Sequence, residues 1–163
     1  MYVEMKVTGL TIDPFTSMPI IILKDMEEKA ALPIWIGLIE ASAIATELEH
    51  IQLARPMTHD LLKNIMDSVG IKVIKAAITE LRDNTFYAKV VLDNAGKEIE
   101  MDARPSDAIA IALRTKSPIF VEKSVVEKSR KIDLTLDDGE QKKRKWTEIL
   151  ESLSPDDFGK YKM

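Results

Sequence analysis

From Tyr2 to Ile12 polar and apolar residues alternate, with Val3, Met5 and Val7 set against Glu4, Lys6 and Thr8, which predicts a half-buried strand. Asp13 to Ser17 reads as a turn, and the continuous apolar run from Met18 to Leu23 reads as a second strand. A polar loop from Lys24 to Ala30 leads to a third strand, Ala31 to Ile36, ending at Gly37. Ile39 to Leu53 is rich in Ala, Ile and Leu and predicts a helix, broken at Arg55-Pro56-Met57-Thr58. Thr58 is the expected N-cap of a second helix, His59 to Val69, with Gly70 as its C-cap. Three more strands follow, Ile71 to Leu81, Thr85 to Leu92 and Lys97 to Ala103, with hairpin turns at Arg82-Asp83-Asn84 and Asp93-Asn94-Ala95-Gly96.

The most informative stretch is the corner that comes next. Glu98, Glu100 and Asp102 alternate with Ile99, Met101 and Ala103, so three carboxylates share one strand face. Pro105 suits a first helical turn, and Ser106 and Asp107 suit a helix N-terminus. The apolar run Ala108 to Leu113 predicts a buried helix from Pro105 to about Lys116. Pro118 to Glu122 reads as a short strand and Ser124 to Lys128 as a helical turn.

The two halves match at a constant offset of 65: Ala43-Ile44-Ala45 and Leu48 align with Ala108-Ile109-Ala110 and Leu113, and Ile34 with Ile99. The expected fold class is therefore α+β, with two similar strand–strand–strand–helix halves, an internal duplication, packed around a shared core. At that offset Glu100 corresponds to Trp35, Asp102 to Gly37 and Asp107 to Ser42, so an acidic site would belong to the second half alone. The expected domain is residues 1–130, followed over 131–163 by a charged linker and a C-terminal helical tail with Trp146, Ile149, Leu150 and Leu153 at helical spacing.

Composition narrows the classes. The chain has 163 residues, 45% of them apolar, enough for a real core in one domain. A net charge of −4 supplies no global basic field, so a nucleic-acid role needs a local basic patch or metal ions. Cysteine is absent, which excludes disulfides and thiolate chemistry. No apolar run is long enough to span a membrane and Met1 does not open a signal peptide, so the expectation is a cytoplasmic protein with no membrane partner.

Three segments together resemble the bifunctional nuclease domain family: Leu32-Pro33-Ile34-Trp35-Ile36-Gly37 with Glu40-Ala41, Arg55-Pro56-Met57-Thr58-His59-Asp60-Leu61, and Asp102-Ala103-Arg104-Pro105-Ser106-Asp107-Ala108. The resemblance covers roughly residues 1–125, and Leu153 to Tyr161 is similar to the end of bacterial members. It implies an α+β fold and a nuclease, with RNA and DNA as substrates of plant members.

Phosphodiester hydrolysis commonly uses carboxylates that hold a divalent cation, a group that activates water and a cation near the leaving oxygen. Asp102 and Asp107, with Glu100 as a third ligand, are the candidates for Mg²⁺ or Mn²⁺. Arg104 and Arg55 are candidates for holding phosphate, with Ser106 beside them. His59 is the candidate general base, with Asp60 as its sequence neighbour and Arg104 completing the catalytic set. The plainer readings are a solvated strand face with a helix cap for the carboxylates, a salt bridge for Arg104, and a surface or capping role for His59. His50 reads as a helix-surface residue, and Glu40 as a helix cap or a partner for an arginine. Trp35 reads either as a surface for stacking a base or as an interface or core aromatic. No Gly-rich phosphate loop, zinc helix or nucleophile elbow is present.

The expected function is a metal-assisted nuclease acting on RNA or DNA. The alternative is a non-catalytic oligomeric binding or regulatory domain that recognises a nucleotide or protein partner through the same corner. A homo-oligomer, in the first place a dimer, is expected from the apolar run Met18 to Leu23 taken as an edge strand, with Trp35 or Trp146 as interface anchors. Arg55, His59, Asp102, Arg104 and Asp107 are expected to converge.

Overall fold

The computed structural model describes residues 1–129. The charged linker and the C-terminal helix expected over residues 131–163 lie outside the described residues.

Seven strands form one mixed sheet, β1 Tyr2–Ile12, β2 Pro19–Asp25, β3 Ala31–Trp35, β4 Ile71–Arg82, β5 Thr85–Asn94, β6 Lys97–Ala103 and β7 Ile119–Glu122. Four helices accompany them, α1 Leu38–Leu48, α2 Thr58–Val69, α3 Pro105–Thr115 and α4 Lys123–Ser129. The sheet order is β3-β2-β1-β7-β4-β5-β6. Every pair is antiparallel except β4 with β7. The class is α+β. Each half is a three-stranded antiparallel meander followed by a helix, and β7 joins the two by pairing with β1 and β4. The two helix N-caps, Gly37 and Arg104, stand 67 positions apart, so the shared topology does not itself fix the sequence offset of 65.

Strand alternation sorts the sheet into two faces. Met5, Ile21, Leu23, Leu32, Ile34, Ala76, Ile78, Ala88 and Val90 point to one face and form the core with Ala41, Ile44, Ala108, Ile109 and Ala112 of α1 and α3. Lys75, Lys89, Glu100 and Asp102 take the opposite face, as the register Ala77↔Lys89↔Asp102 and Lys75↔Val91↔Glu100 requires. Small alanines on α1 and α3 let both helices sit close to the sheet and to each other, and α4 packs beside them against β3, β4 and β7.

Four expectations change here. The segment expected as an edge strand from Met18 to Leu23 is β2, which lies inside the sheet between β1 and β3, so it leaves no open edge to cover. The edges are β3, interrupted by Pro33, and β6, lined by Glu98, Glu100 and Asp102, and both features discourage pairing with another strand. The first helix stops at Leu48 rather than Leu53, because His50 takes a left-handed conformation at φ 52. Two bonds close that end, Ile51 N–H to the Thr46 carbonyl and His50 N–H to the Glu47 carbonyl, so His50 terminates α1 rather than decorating it. Finally, the residue at the N-cap of α2 is Met57, not Thr58. Its N–H donates to the Asp60 carboxylate at 3.0 Å, so a side chain inside the helix supplies the cap. Gly70 ends α2 at φ 76 and Pro105 opens α3, both as expected.

Candidate functional site

The first turns of α1, α2 and α3 meet at one place. Each carries an acidic residue three positions after its N-cap, namely Glu40, Asp60 and Asp107, where negative charge complements the helix dipole. Asp107 is the hub. Its Oδ1 lies 2.9 Å from His59 Nε2, and its Oδ2 accepts from Arg104 Nε at 2.9 Å. Arg104 Nη1 donates at 2.9 Å to Glu40 Oε1, so one guanidinium ties α3 to α1 while the histidine ties α3 to α2. Gly37 leaves room for this, since a Cβ there would meet the Glu40 carboxylate.

A second cluster sits beside the first. Arg114 Nε donates to Asp60 Oδ1 at 2.7 Å, its Nη2 to the Ala43 carbonyl at 2.9 Å and its Nη1 to the Ala110 carbonyl at 3.1 Å. Its side chain is 3% exposed. Arg114 thus locks the last turn of α3 to the middle of α1 and the first turn of α2. Sequence reasoning gave it no role. The signal was present: one guanidinium closes an apolar run expected to be buried, and a buried arginine must find acceptors.

Burial pushes the Asp107 carboxyl up, but the hydrogen bonds and charges of Arg104 and His59 outweigh it and hold the group below its ordinary value. Asp60 is likewise held low: burial raises it, and the Met57 N–H, Arg114 and the nearby His59 charge more than compensate. Arg104 is pushed above its usual value by Asp107 and, more weakly, by Glu40. The site at neutral pH therefore contains ionised carboxylates and a guanidinium whose side chain remains 65% exposed.

Of the residues expected to converge, His59, Arg104 and Asp107 do. Asp60 is present too, but it serves Arg114 and the cap of α2 rather than His59, whose carboxylate partner comes from α3. Arg55 lines a neighbouring open pocket of about 360 Å³ with Asp60, Asn64 and Arg114. Ser106 is buried within the corner, 6% exposed, and is not displayed to a ligand. Asp102 and Glu100 stand on the opposite sheet face, where Lys89 takes Glu100 at 2.6 Å and pairs in register with Asp102. Trp35 is fixed within its own chain, its Nε1–H donating to Asp13 Oδ2 at 3.0 Å.

The donor set expected for Mg²⁺ or Mn²⁺ is consequently not gathered. Asp107 spends both oxygens on His59 and Arg104, Glu100 spends one on Lys89, and Asp102 is across the sheet. Among the described residues no three His, Asp or Glu side chains are grouped so as to hold one ion.

What the corner offers chemically is an imidazole held by a carboxylate, next to an exposed guanidinium, on an α+β scaffold. That scaffold and its motifs belong to a known class. The model of the bifunctional nuclease domain matches residues 21–133, and the chain belongs to that family. It is 36% identical over 162 residues to an uncharacterised protein of Mycobacterium tuberculosis, covering 95% of this chain and 97% of the relative. It is 34% identical over 110 residues to bifunctional nuclease 1 of Arabidopsis thaliana, covering 64% of this chain and 34% of that protein. Bifunctional nuclease 1 of Oryza sativa subsp. indica is also 34% identical, over 64% of this chain and 33% of its own length. Among the described residues no helix is long and apolar enough to cross a membrane.

Proposed function

We propose that the chain is a phosphodiester hydrolase acting on RNA or DNA, with its reaction centre at the junction of the three helix N-termini. The observation that carries this reading is the His59 Nε2 to Asp107 Oδ1 contact of 2.9 Å. An ionised carboxylate orients an imidazole and fixes its tautomer. With Nε2–H donating to Asp107, the Nδ1 lone pair is the site that takes a proton from the attacking water or hydroxyl. Arg104 supplies a neighbouring charge for the phosphate, and Arg55 in the adjoining pocket is a second guanidinium for it. The plant relatives named as nucleases support the substrate class.

One observation favours the other reading, a non-catalytic binding or regulatory domain. Asp107, Arg104 and Glu40 already satisfy one another, which is how a purely structural ion-pair network looks. Labelled single-stranded RNA and DNA oligonucleotides decide between them. Cleavage should fall by about 10²- to 10⁴-fold in His59→Gln, as loss of a general base predicts, with the helical circular dichroism unchanged. Parallel reactions with chelator, Mg²⁺ and Mn²⁺ measure any metal dependence. Wild-type chain that cleaves neither polymer under all these conditions, or His59→Gln that cleaves as well as wild type, overturns the assignment and leaves the binding domain.

A further inference from the structure

Helix α2 is amphipathic, yet none of its residues is buried. Leu61, Leu62, Ile65 and Val69 are 53%, 40%, 50% and 62% exposed, and none joins the core. At 100° per residue these four lie together on the face opposite the one bearing His59, Asp60 and Lys63. The inner face holds α2 to the protein through polar bonds, His59 to Asp107 and Asp60 to Arg114. Among the described residues nothing covers the outer face, a continuous apolar stripe of a kind that monomeric proteins seldom leave exposed.

We propose that this stripe docks against the same stripe of a second copy of this chain, the two α2 helices running antiparallel across a two-fold axis near Ile65. Three features select a second copy as the occupant. First, the stripe is self-complementary: Leu61 lies four residues before Ile65 and Val69 four after, so a two-fold there sets Leu61 of each copy against Val69 of the other and Ile65 against itself. Second, its charges do not oppose such a meeting. Lys63 and Asp67 are paired with each other at 2.7 Å on the far side, Asp60 is paired with Arg114, and the stripe is flanked by the uncharged Asn64, Ser68 and Met66. Third, pairing through the sheet is discouraged at both edges, by Pro33 and by the carboxylates of β6. A 12-residue helix is only about 18 Å long, so the contact is smaller than the roughly 800 Å² per partner of a standard interface. The dimer is therefore expected to be weak, and its test needs a high protein concentration.

The chain has no cysteine, so one introduced thiol reports on one place. Ile65→Cys on the full chain, oxidised at on the order of 50 μM, should form a disulfide-linked dimer, since residues on the axis approach within bonding distance. Phe15→Cys, at a site 94% exposed in the β1–β2 turn, is the control and should not link. At the same concentration wild type should sediment as a dimer and Ile65→Asp as a monomer, with its thermal unfolding little changed because Ile65 is outside the core. Wild type that is monomeric at that concentration, Ile65→Cys linking no faster than Phe15→Cys, or Ile65→Asp remaining dimeric would each overturn the proposal. In the first case the stripe is left to the residues 146–153 of its own chain or to a different protein.

Discussion

The halves β1–α1 and β4–α3 share a topology and divide the chemistry unequally. Both are three-stranded meanders closed by a helix, and both helices end on a left-handed residue without being followed by glycine, His50 after α1 and Lys116 after α3. Yet α1 brings one carboxylate, Glu40, to the junction, whereas α3 brings Arg104, Asp107 and Arg114. The first half is mostly platform, buried from Ala41 to Thr46 without an ionised group. The second half holds the polar residues that organise the junction, and α2, which has no equivalent before β7, is pinned by them. Two halves of like topology thus build an asymmetric site when one helix carries the charged side chains and the other supplies a backbone carbonyl and a single partner.

The sharpest way to break this comparison is at the helix C-terminal ends. Arg114→Met removes the bonds to Asp60 and to the Ala43 carbonyl and strands a half-buried carboxylate. It should cost on the order of 3 kcal/mol, and Arg114→Lys should recover little of that because an ammonium cannot span the same three acceptors. The corresponding end of α1 carries the exposed Glu49, and Glu49→Ala should change stability by no more than about 0.5 kcal/mol. Urea denaturation of both variants measures the difference. Equal effects would mean that Arg114 is not the lock between the three helices.

Much of this asymmetry was legible along the chain, though not its partners. The strand order within each half, the Pro105 helix start and the acidic corner all follow from local pattern, because alternation and proline geometry act over a few residues. His59–Asp107 is separated by 48 positions and Arg114–Asp60 by 54, and no local period encodes which carboxylate meets which cation. Adjacency was a misleading guide for His59 and Asp60, since neighbours on a helix point about 100° apart. Glu98, Glu100 and Asp102 alternate with Ile99, Met101 and Ala103 and do share one strand face, but that face is the one away from α3. The end of α1 at His50 was hidden because a non-glycine residue adopts the left-handed turn.

A smaller contrast lies between the matched acidic positions of α1 and α3. Asp107 accepts two charge-assisted bonds and Glu40 one, from the exposed Arg104. Asp107→Asn should cost about 2 kcal/mol, and Glu40→Gln about 0.5 kcal/mol. The pH dependence supplies a second check. Because the Asp107 carboxyl is held below its ordinary value in the folded protein, its stabilisation is present above the unfolded value of about 3.9 and is lost as pH falls through the lower folded value. The stability gap between wild type and Asp107→Asn should therefore shrink as pH falls below about 4. A gap that persists unchanged at pH 3 would show that the ionised carboxylate is not what stabilises the junction.

The smallest expected effect separates the two halves at their turns. In the first half the β1–β2 connection is held by bonds around Asp13, whose N–H donates to the Met18 carbonyl at 2.8 Å and whose Oδ1 accepts from the Phe15 N–H at 2.9 Å. In the second half both hairpins are two-residue turns with positive φ throughout, Asp83 and Asn84 at 50 and 58, Ala95 and Gly96 at 52 and 85. Three of those four residues suit such a turn, and Ala95 does not, because a Cβ beside the carbonyl disfavours the left-handed region and alanine has no polar side chain to offset it. Ala95→Asn creates Asn-Gly, the pair this turn prefers, at a site far from the junction of helices. It should raise stability by about 0.5 kcal/mol, read as a small increase in the midpoint of thermal unfolding, with β5–β6 register unchanged. Asp13→Ala in the other half should lower it, since both the turn and Trp35 lose an acceptor. If Ala95→Asn is instead destabilising, the left-handed strain at Ala95 is being compensated by something other than the turn itself, and the second half is held by more than its hairpins and the α3 side chains.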